Sequence, residues 1–284
     1  MTVLDIEGIA REVMAAQDGA ASIAPLTARH AGFTLTAAYE VAGLIHRRRA
    51  DGGAQLAGRK IGFTNAAMWS ALGVSSPVWG RVYQHTLTLD EGGDLCCPAG
   101  AFVEPRIEPE IVLHFHTAPP ATQDLERILA CVDWIAHGFE VVQSHYPAWR
   151  FQAADTVADN ALHAALFVGP GKTPAELGPD VIDQLAACRV TLSCDGARRE
   201  TGTGANALGG PLQAMAHLLM TLVDRPADEA VKAGELVTTG TLTMAYPVHA
   251  GQVWNTVIDG LALPGMRLAF TDKPAGKATD ATDD

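Results

Sequence analysis

Two acidic side chains two residues apart carry the chemistry this chain could perform. They are Glu108 and Glu110, in the run Arg106-Ile107-Glu108-Pro109-Glu110-Ile111-Val112-Leu113-His114-Phe115. Successive side chains on a strand point to opposite faces, so both carboxylates share one face. The residues that follow, Ile111, Val112, Leu113 and Phe115, read as a largely buried strand. Carboxylates on a buried face are costly unless something positive neutralises them. A hard divalent cation would do so, because carboxylate oxygens suit magnesium, calcium or manganese. A solvated strand edge would also remove the cost, and the local pattern leaves both readings open. A third glutamate, Glu140, follows about thirty residues on. His114 and His116 fall on the same strand face, either as outer partners of a site or as ordinary strand residues.

Three further stretches set polar groups among glycines. Gly58-Arg59-Lys60-Ile61-Gly62-Phe63-Thr64 places Lys60 to reach a pocket from a strand end, or to stay at the surface. Asp155-Thr156-Val157-Ala158-Asp159-Asn160-Ala161-Leu162-His163 contains Asp159-Asn160, a common turn pair. Thr238-Thr239-Gly240-Thr241-Leu242-Thr243 offers hydroxyls and backbone amides to a carboxylate or phosphate, or forms a strand with a bulge. Gly202-Thr203-Gly204-Ala205-Asn206 lacks the lysine and spacing of a P-loop and does not match a dinucleotide fingerprint. The sequence has no His-Glu-x-x-His zinc pattern and no Gly-x-Ser-x-Gly elbow, which disfavours a serine hydrolase.

The elements that must position these residues are legible in outline. Leu4, Ile6, Ile9, Val13 and Met14 predict one amphipathic helix. Ala37, Ala38, Val41, Leu44 and Ile45 predict a second, from Thr34 or Thr36 to Arg47-Arg48-Arg49, whose charges suit the helix dipole. A short helix is expected over Asn65 to Leu72 with Thr64 as its cap. Thr122 is expected to cap a longer one running through Leu125, Ile128, Leu129, Val132 and Ile135. Phe139 to Val142, Leu166 to Val168, Leu236 to Thr239 and Val253 to Ile258 read as strands. Arg189 to Cys194 alternates and meets Asp195-Gly196, a hairpin signal. Pro211 opens a helix through Leu222. Strands and helices do not alternate regularly, so the expected class is α+β. Residues 1–55 form a small helical region, residues 56–270 a β-rich catalytic domain, and residues 271–284 a disordered tail without large apolar side chains.

Composition narrows the function classes. The chain has 284 residues, enough for one large domain or a domain with a small appendage. Its hydrophobic share of 48% against 18% charged residues marks a globular protein. The net charge of −12 argues against nonspecific nucleic-acid binding and against adhesion to anionic membranes. No apolar run is long enough to span a bilayer, and the N-terminal residues lack the pattern of a secretion signal. Five irregularly spaced cysteines fit neither a disulfide framework nor a zinc site, so reduced thiols in the cytoplasm are expected.

Taken in order, these stretches resemble the fumarylacetoacetate hydrolase superfamily, in its 2-oxopent-4-enoate hydratase and 4-oxalocrotonate decarboxylase branch. The resemblance spans Gly58 to Gly251. It rests on Gly58 to Thr64, Glu108-Pro109-Glu110-Ile111, Phe139-Glu140-Val141-Val142, Asp155 to Ala161, Leu208-Gly209-Gly210-Pro211-Leu212, Lys232-Ala233-Gly234-Glu235 and Thr239 to Thr243. It implies a mostly β body of the fumarylacetoacetate hydrolase C-terminal type with flanking helices, assembled as a homo-oligomer. It implies metal ligands at Glu108, Glu110 and Glu140, holding Mg2+ or Mn2+. It carries an active-site lysine to Lys60 and a pocket aspartate to Asp159. Thr239, Gly240 and Thr241 are the expected substrate-binding residues. The implied activity is a metal-dependent lyase of aromatic catabolism, a hydratase or decarboxylase that takes a small 2-oxo acid or 2-hydroxydienoic acid through a metal-stabilised enolate.

The chain departs from the hydratase pattern at two places. Val78-Trp79 follows Ser75-Ser76-Pro77 where hydratase relatives have an acid, and Leu162-His163 follows Ala161 where a serine is usual. His163 is then a candidate acid or base, or a packed histidine. A carbon–carbon bond hydrolase of the same superfamily ranks lower, because no His–Glu pair precedes the acidic strand. A noncatalytic homologue is the third reading, and the presence of Lys60, Glu108, Glu110, Glu140 and Asp159 argues against it.

Overall fold

The computed structural model describes residues 4–66, 69, 74, 76–226 and 229–272. Its N-terminal helices are α1 (Ile6–Gly19), α2 (Leu26–Arg29) and α3 (Leu35–Asp51). Asp5 caps α1 by accepting from the Gly8 amide at 2.8 Å, and Thr34 caps α3 by accepting from Ala37 at 3.3 Å. Arg48 and Arg49 occupy the last turn of α3. Ile9 and Val13 of α1 and Val41 and Ile45 of α3 are buried in one core with Ile61, Trp79 and Ile111 of the body.

The body consists of two sheets. The larger contains β1 (Leu56–Gly62), β2 (Val78–Tyr83), β3 (Leu87–Leu89), β5 (Arg106–Phe115), β6 (Val132–Val142), β7 (His163–Val168), β10 (Leu236–Thr238) and β11 (Tyr246–Pro247). Its order is β2-β1-β10-β5-β6-β7-β3, with β11 paired to β5. The smaller contains β4 (Leu95–Pro98), β8 (Arg189–Cys194), β9 (Ala197–Thr203), β12 (Val253–Asp259) and β13 (Arg267–Thr271), in the order β4-β13-β12-β8-β9. Ile107, Phe139 and Val141 of the larger sheet pack with Leu192, Trp254, Leu268 and Phe270 of the smaller one. The opposite face of the same β5–β6 pair is therefore free to carry polar residues.

Short helices flank the sheets: α4 (Leu125–Leu129), α5 (Ala153–Ala158), α6 (Pro174–Leu177) and α7 (Val181–Ala187). The longest is α8 (Pro211–Leu222), which buries Leu212, Met215, Leu218, Leu219 and Leu222. Sheets with flanking helices make the class α+β, as expected. The hairpin at Asp195-Gly196 also forms, with φ of 51° and 78° at the two turn residues.

One expected element is corrected. The helix from Thr122 stops at Leu129, with Asp124 as its cap, and Val132 and Ile135 belong to β6. Short apolar runs satisfy either period, and tertiary pairing decides between them. Here β6 pairs with β5 along its length and buries Ile135, Ala136, Phe139 and Val141 completely. The helix expected over Asn65 to Leu72 lies mostly outside the described residues, as does the tail beyond Asp272.

Candidate metal centre

The antiparallel register of β5 and β6 sets Glu108 directly opposite Glu140, with Glu110 two residues further along the same face. One oxygen from each of the three carboxylates lies within 4.8 Å of the others. Glu110 and Glu140 are fully buried and Glu108 opens toward a cleft. This burial excludes the solvated-edge reading of the acidic pair.

Glu110 and Glu140 are each held from behind. Glu110 Oε2 accepts from the Gly240 amide at 2.8 Å and from the Thr238 hydroxyl. Gly240 has a φ of +103°, and a Cβ there would fall 1.8 Å from Thr64 Oγ1, so only glycine fits. His163 Nδ1 donates to Glu140 Oε1 at 2.8 Å, and its Nε2 meets Thr86 Oγ1 at 2.9 Å. Glu140 Oε2 lies 3.2 Å from Lys60 Nζ as an ion pair without hydrogen-bond geometry. Lys60 Nζ donates to the Ala161 carbonyl at 2.9 Å. That carbonyl sits in a strained turn, where Asn160, Ala161 and Leu162 have φ of 52°, 52° and 65°. Asn160 holds the turn by accepting from Arg81 N and donating to Arg81 O, both at 2.8 Å. Behind β5, His137 bridges the sheets through the Glu110 carbonyl and Thr256 Oγ1, each at 2.8 Å. Burial pushes the His137 pKa down to about 4, so it bridges as a neutral ring.

The charges do not balance internally. Burial raises Glu108 to about 7, with Glu140 adding to the rise and Lys60 opposing it. Burial also holds Glu110 well above the usual range, reinforced by Glu140 and Glu108. Glu140 is lowered, because Lys60 and His163 together outweigh its burial. Burial works against the Lys60 ammonium, yet Glu140, Glu108 and Glu110 leave its pKa raised. Three carboxylates thus face one ammonium. An all-oxygen donor set whose carboxylates outnumber the one ammonium, with a buried Glu140 Oε2 lacking a hydrogen bond, fits a hard divalent cation.

The cleft above the glutamates has a volume of about 100 Å³ and is partly open to solvent. Phe63, Trp149, Phe151 and Met244 form apolar walls, with Thr64, Thr241, Thr243 and Arg106 among them. The Thr64 hydroxyl is buried without a hydrogen-bond partner among the described residues. Such a cavity suits a small organic ligand with a few polar anchors.

The structure brings together Lys60, Glu108, Glu110, Glu140 and His163. Both His163 ring nitrogens are taken, so it braces Glu140. Asp159 accepts from His145 Nδ1 at 2.8 Å and from Gln17 Nε2 at 3.0 Å, tying α1 to the turn that receives Lys60. Thr239 is committed to the Ile111 carbonyl and Gly240 to Glu110, while Thr241 lines the cleft. His114 pairs with Asp133 at 2.7 Å and stacks on Trp134, and His116 meets Thr117. Sequence reasoning passed over Arg106, Thr64 and Trp149 as site residues. Arg106 was detectable, since it shares the two-residue period of Glu108 and Glu110.

Residues 82–264 match the family model described as fumarylacetoacetate (FAA) hydrolase C-terminal. The 2-keto-4-pentenoate hydratase of Burkholderia vietnamiensis is 33% identical over 268 residues, covering 94% of this chain and 98% of that one. The 2-hydroxyhexa-2,4-dienoate hydratase of Comamonas testosteroni is 31% identical over 260 residues, covering 90% and 94%. A solved structure of 4-oxalocrotonate decarboxylase from Pseudomonas putida G7, complexed with magnesium and adipate, superposes with a TM-score of 0.84 at 27% identity. That alignment covers 95% of this chain and 99% of the decarboxylase.

Proposed function

The chain belongs to the fumarylacetoacetate (FAA) hydrolase family, and we propose that it is a divalent-metal-dependent lyase acting on a 2-oxo acid or its 2-hydroxydienoic form. It is a hydratase or decarboxylase of aromatic catabolism, in keeping with its hydratase and decarboxylase relatives. The observation that carries this reading is the trio of glutamate oxygens within 4.8 Å of one another, with Lys60 3.2 Å from one of them.

Glu108, Glu110 and Glu140 would hold Mg2+ or Mn2+. A bound cation supplies Lewis acidity that favours negative charge on the substrate's 2-oxo oxygen. Lys60 is the proton carrier. The Ala161 carbonyl accepts from Nζ at 2.9 Å, and Nζ lies 3.2 Å from Glu140 Oε2 at the edge of the carboxylate cluster. Asp159 acts as a positioning residue, through the turn that carries Ala161. His163 positions Glu140, and its Thr86 contact fixes the ring. The Thr64 hydroxyl, without a partner among the described residues, offers a hydrogen bond to a substrate oxygen, and the aromatic walls of the cleft limit water. Val78 pairs with Gly62 beside Lys60 and carries no proton, so Lys60 serves alone there.

The test is turnover of 2-keto-4-pentenoate in its dienol form and of 4-oxalocrotonate with magnesium or manganese, following loss of dienol absorbance and release of carbon dioxide. Metal-dependent turnover of either, abolished by a chelator and by Glu110→Gln, is expected. Turnover that survives the chelator would overturn the metal assignment.

Residues 1–55 and 56–270 are proposed as the helical region and the catalytic domain. Among the described residues no helix is long and apolar enough to cross a membrane. We place the enzyme in the cytoplasm as a homo-oligomer. Sedimentation velocity gives the mass of the particle.

A further inference from the structure

We propose that Arg106, seated on Trp149, is a second anchor in the cleft that selects substrates bearing a carboxylate at the end remote from the 2-oxo acid group. The inference rests on reading the glutamate cluster as the 2-oxo acid site.

Arg106 opens β5 on the face that carries Glu108 and Glu110. Its guanidinium carbon lies 4.0 Å from the centroid of the Trp149 ring, and both residues line the cleft. The side chain is half-buried, and among the described residues no hydrogen bond or ion pair occupies its N–H groups. A guanidinium in this position presents a rigid fork of donors matched to a carboxylate.

The platform beneath it is built at a cost in backbone strain. Ala148 and Trp149 have φ of 55° and 56°, and Glu104 has 46°. Glu104 holds this arrangement by accepting from the Ala148 amide at 2.9 Å through its carboxylate, and from Trp149 Nε1 at 3.0 Å through its carbonyl. Strain of this kind persists only where the surroundings enforce it, and it concentrates at ligand clamps. An indole fixed under the guanidinium restricts its motion before ligand arrives, which lowers the entropy cost of binding.

The spacing fits a short carbon chain. Arg106 and Glu108 are two positions apart along the strand, roughly 7 Å. Phe63, Phe151 and Met244 line the cleft with apolar surface suited to a hydrocarbon spacer. The competing role for Arg106 is to offset the charge of Glu108, which acts on it electrostatically. In that role its loss would affect every ligand alike.

Calorimetric titration of the magnesium-loaded full chain with 2-oxoadipate and 2-oxohexanoate separates the two roles. These probes have equal length and differ in the distal carboxylate. Wild type is expected to prefer 2-oxoadipate by roughly tenfold or more, the worth of a charge-assisted hydrogen-bond pair. Arg106→Gln should bring the ratio close to one, with Arg106→Lys between. Trp149→Leu, which keeps the charge and removes the platform, should lower the ratio as well. A wild-type ratio near one, or equal weakening of both probes in Arg106→Gln, overturns the proposal. Failure of 2-oxohexanoate itself to bind the magnesium-loaded wild type overturns the 2-oxo acid reading, and the anchor with it.

Discussion

Lys60 lies between a carboxylate that needs its charge and a cleft that can use its proton. Without it, the metal-free protein would bury Glu110 and Glu140, with Glu108 beside them, and have no ammonium in the cluster. Lys60→Met should therefore destabilise the metal-free fold by about 3–5 kcal/mol. Saturating magnesium should recover most of that loss while turnover stays absent. Urea unfolding with and without magnesium measures both effects, and equal metal-free stability of variant and wild type would remove Lys60 from the cluster. His163 tests the bracing of Glu140 in the same way. His163→Ala should weaken magnesium binding by about 10–100-fold, the usual effect of removing a group that orients a ligand. Unchanged affinity would reduce His163 to packing. At this scale the Glu108–Glu110 pair was readable from strand periodicity alone. The role of His163 was not, because only the fold shows both ring nitrogens engaged.

Gly240 shows how an element sets the site. Its amide holds Glu110, and its φ of +103° with Thr64 behind it leaves no room for a side chain. Gly240→Ala should cost at least about 1–2 kcal/mol from the left-handed backbone alone. The clash should also move the amide and weaken magnesium binding, so thermal unfolding and a magnesium titration should shift together. Loss of stability with intact metal affinity would show that the loop does not support Glu110. Local signals forecast several elements well: Thr34 at the start of α3, Pro211 at the start of α8, and Asp195-Gly196 between β8 and β9. The helix from Thr122 was overextended because Val132 and Ile135 satisfy a helical period as well as a strand, and pairing with β5 settles the matter. The Asp159-Asn160 pair marks the turn that continues through Leu162, whereas the left-handed turn at Ala148-Trp149 leaves no mark in the sequence. Non-glycine residues adopt them only because distant groups, Glu104 and Arg81, hold them.

The whole molecule carries its net charge of −12 with an uncompensated acidic cluster at its centre, and this couples stability to pH and metal. In the metal-free protein, the folded state keeps the Glu108 proton up to about pH 7, whereas the ordinary glutamate value is 4.5. The folded state then binds more protons than the unfolded chain across that window, so stability should fall as pH rises from 4.5 to 7. One such group contributes at most about 1.4 kcal/mol per pH unit, and Glu110 acts in the same direction. The contribution of Glu140, whose pKa is lowered, is lost only as pH falls below this range. That of Lys60 is lost only above its ordinary 10.5. Saturating magnesium should flatten the profile, since bound metal keeps the carboxylates ionised. A metal-free profile that is already flat would contradict the burial argument. The most direct test of the glutamate cluster as a metal-dependent 2-oxo acid site is thermal unfolding with magnesium, with oxalate, and with both. Oxalate has the adjacent oxygens of a 2-oxo acid enolate, and a ligand at a hundred times its Kd stabilises a fold by about 2.7 kcal/mol. The joint shift should exceed the sum of the separate shifts in wild type and vanish in Glu110→Gln, whereas shifts that merely add, or a joint shift that survives Glu110→Gln, would contradict the assignment.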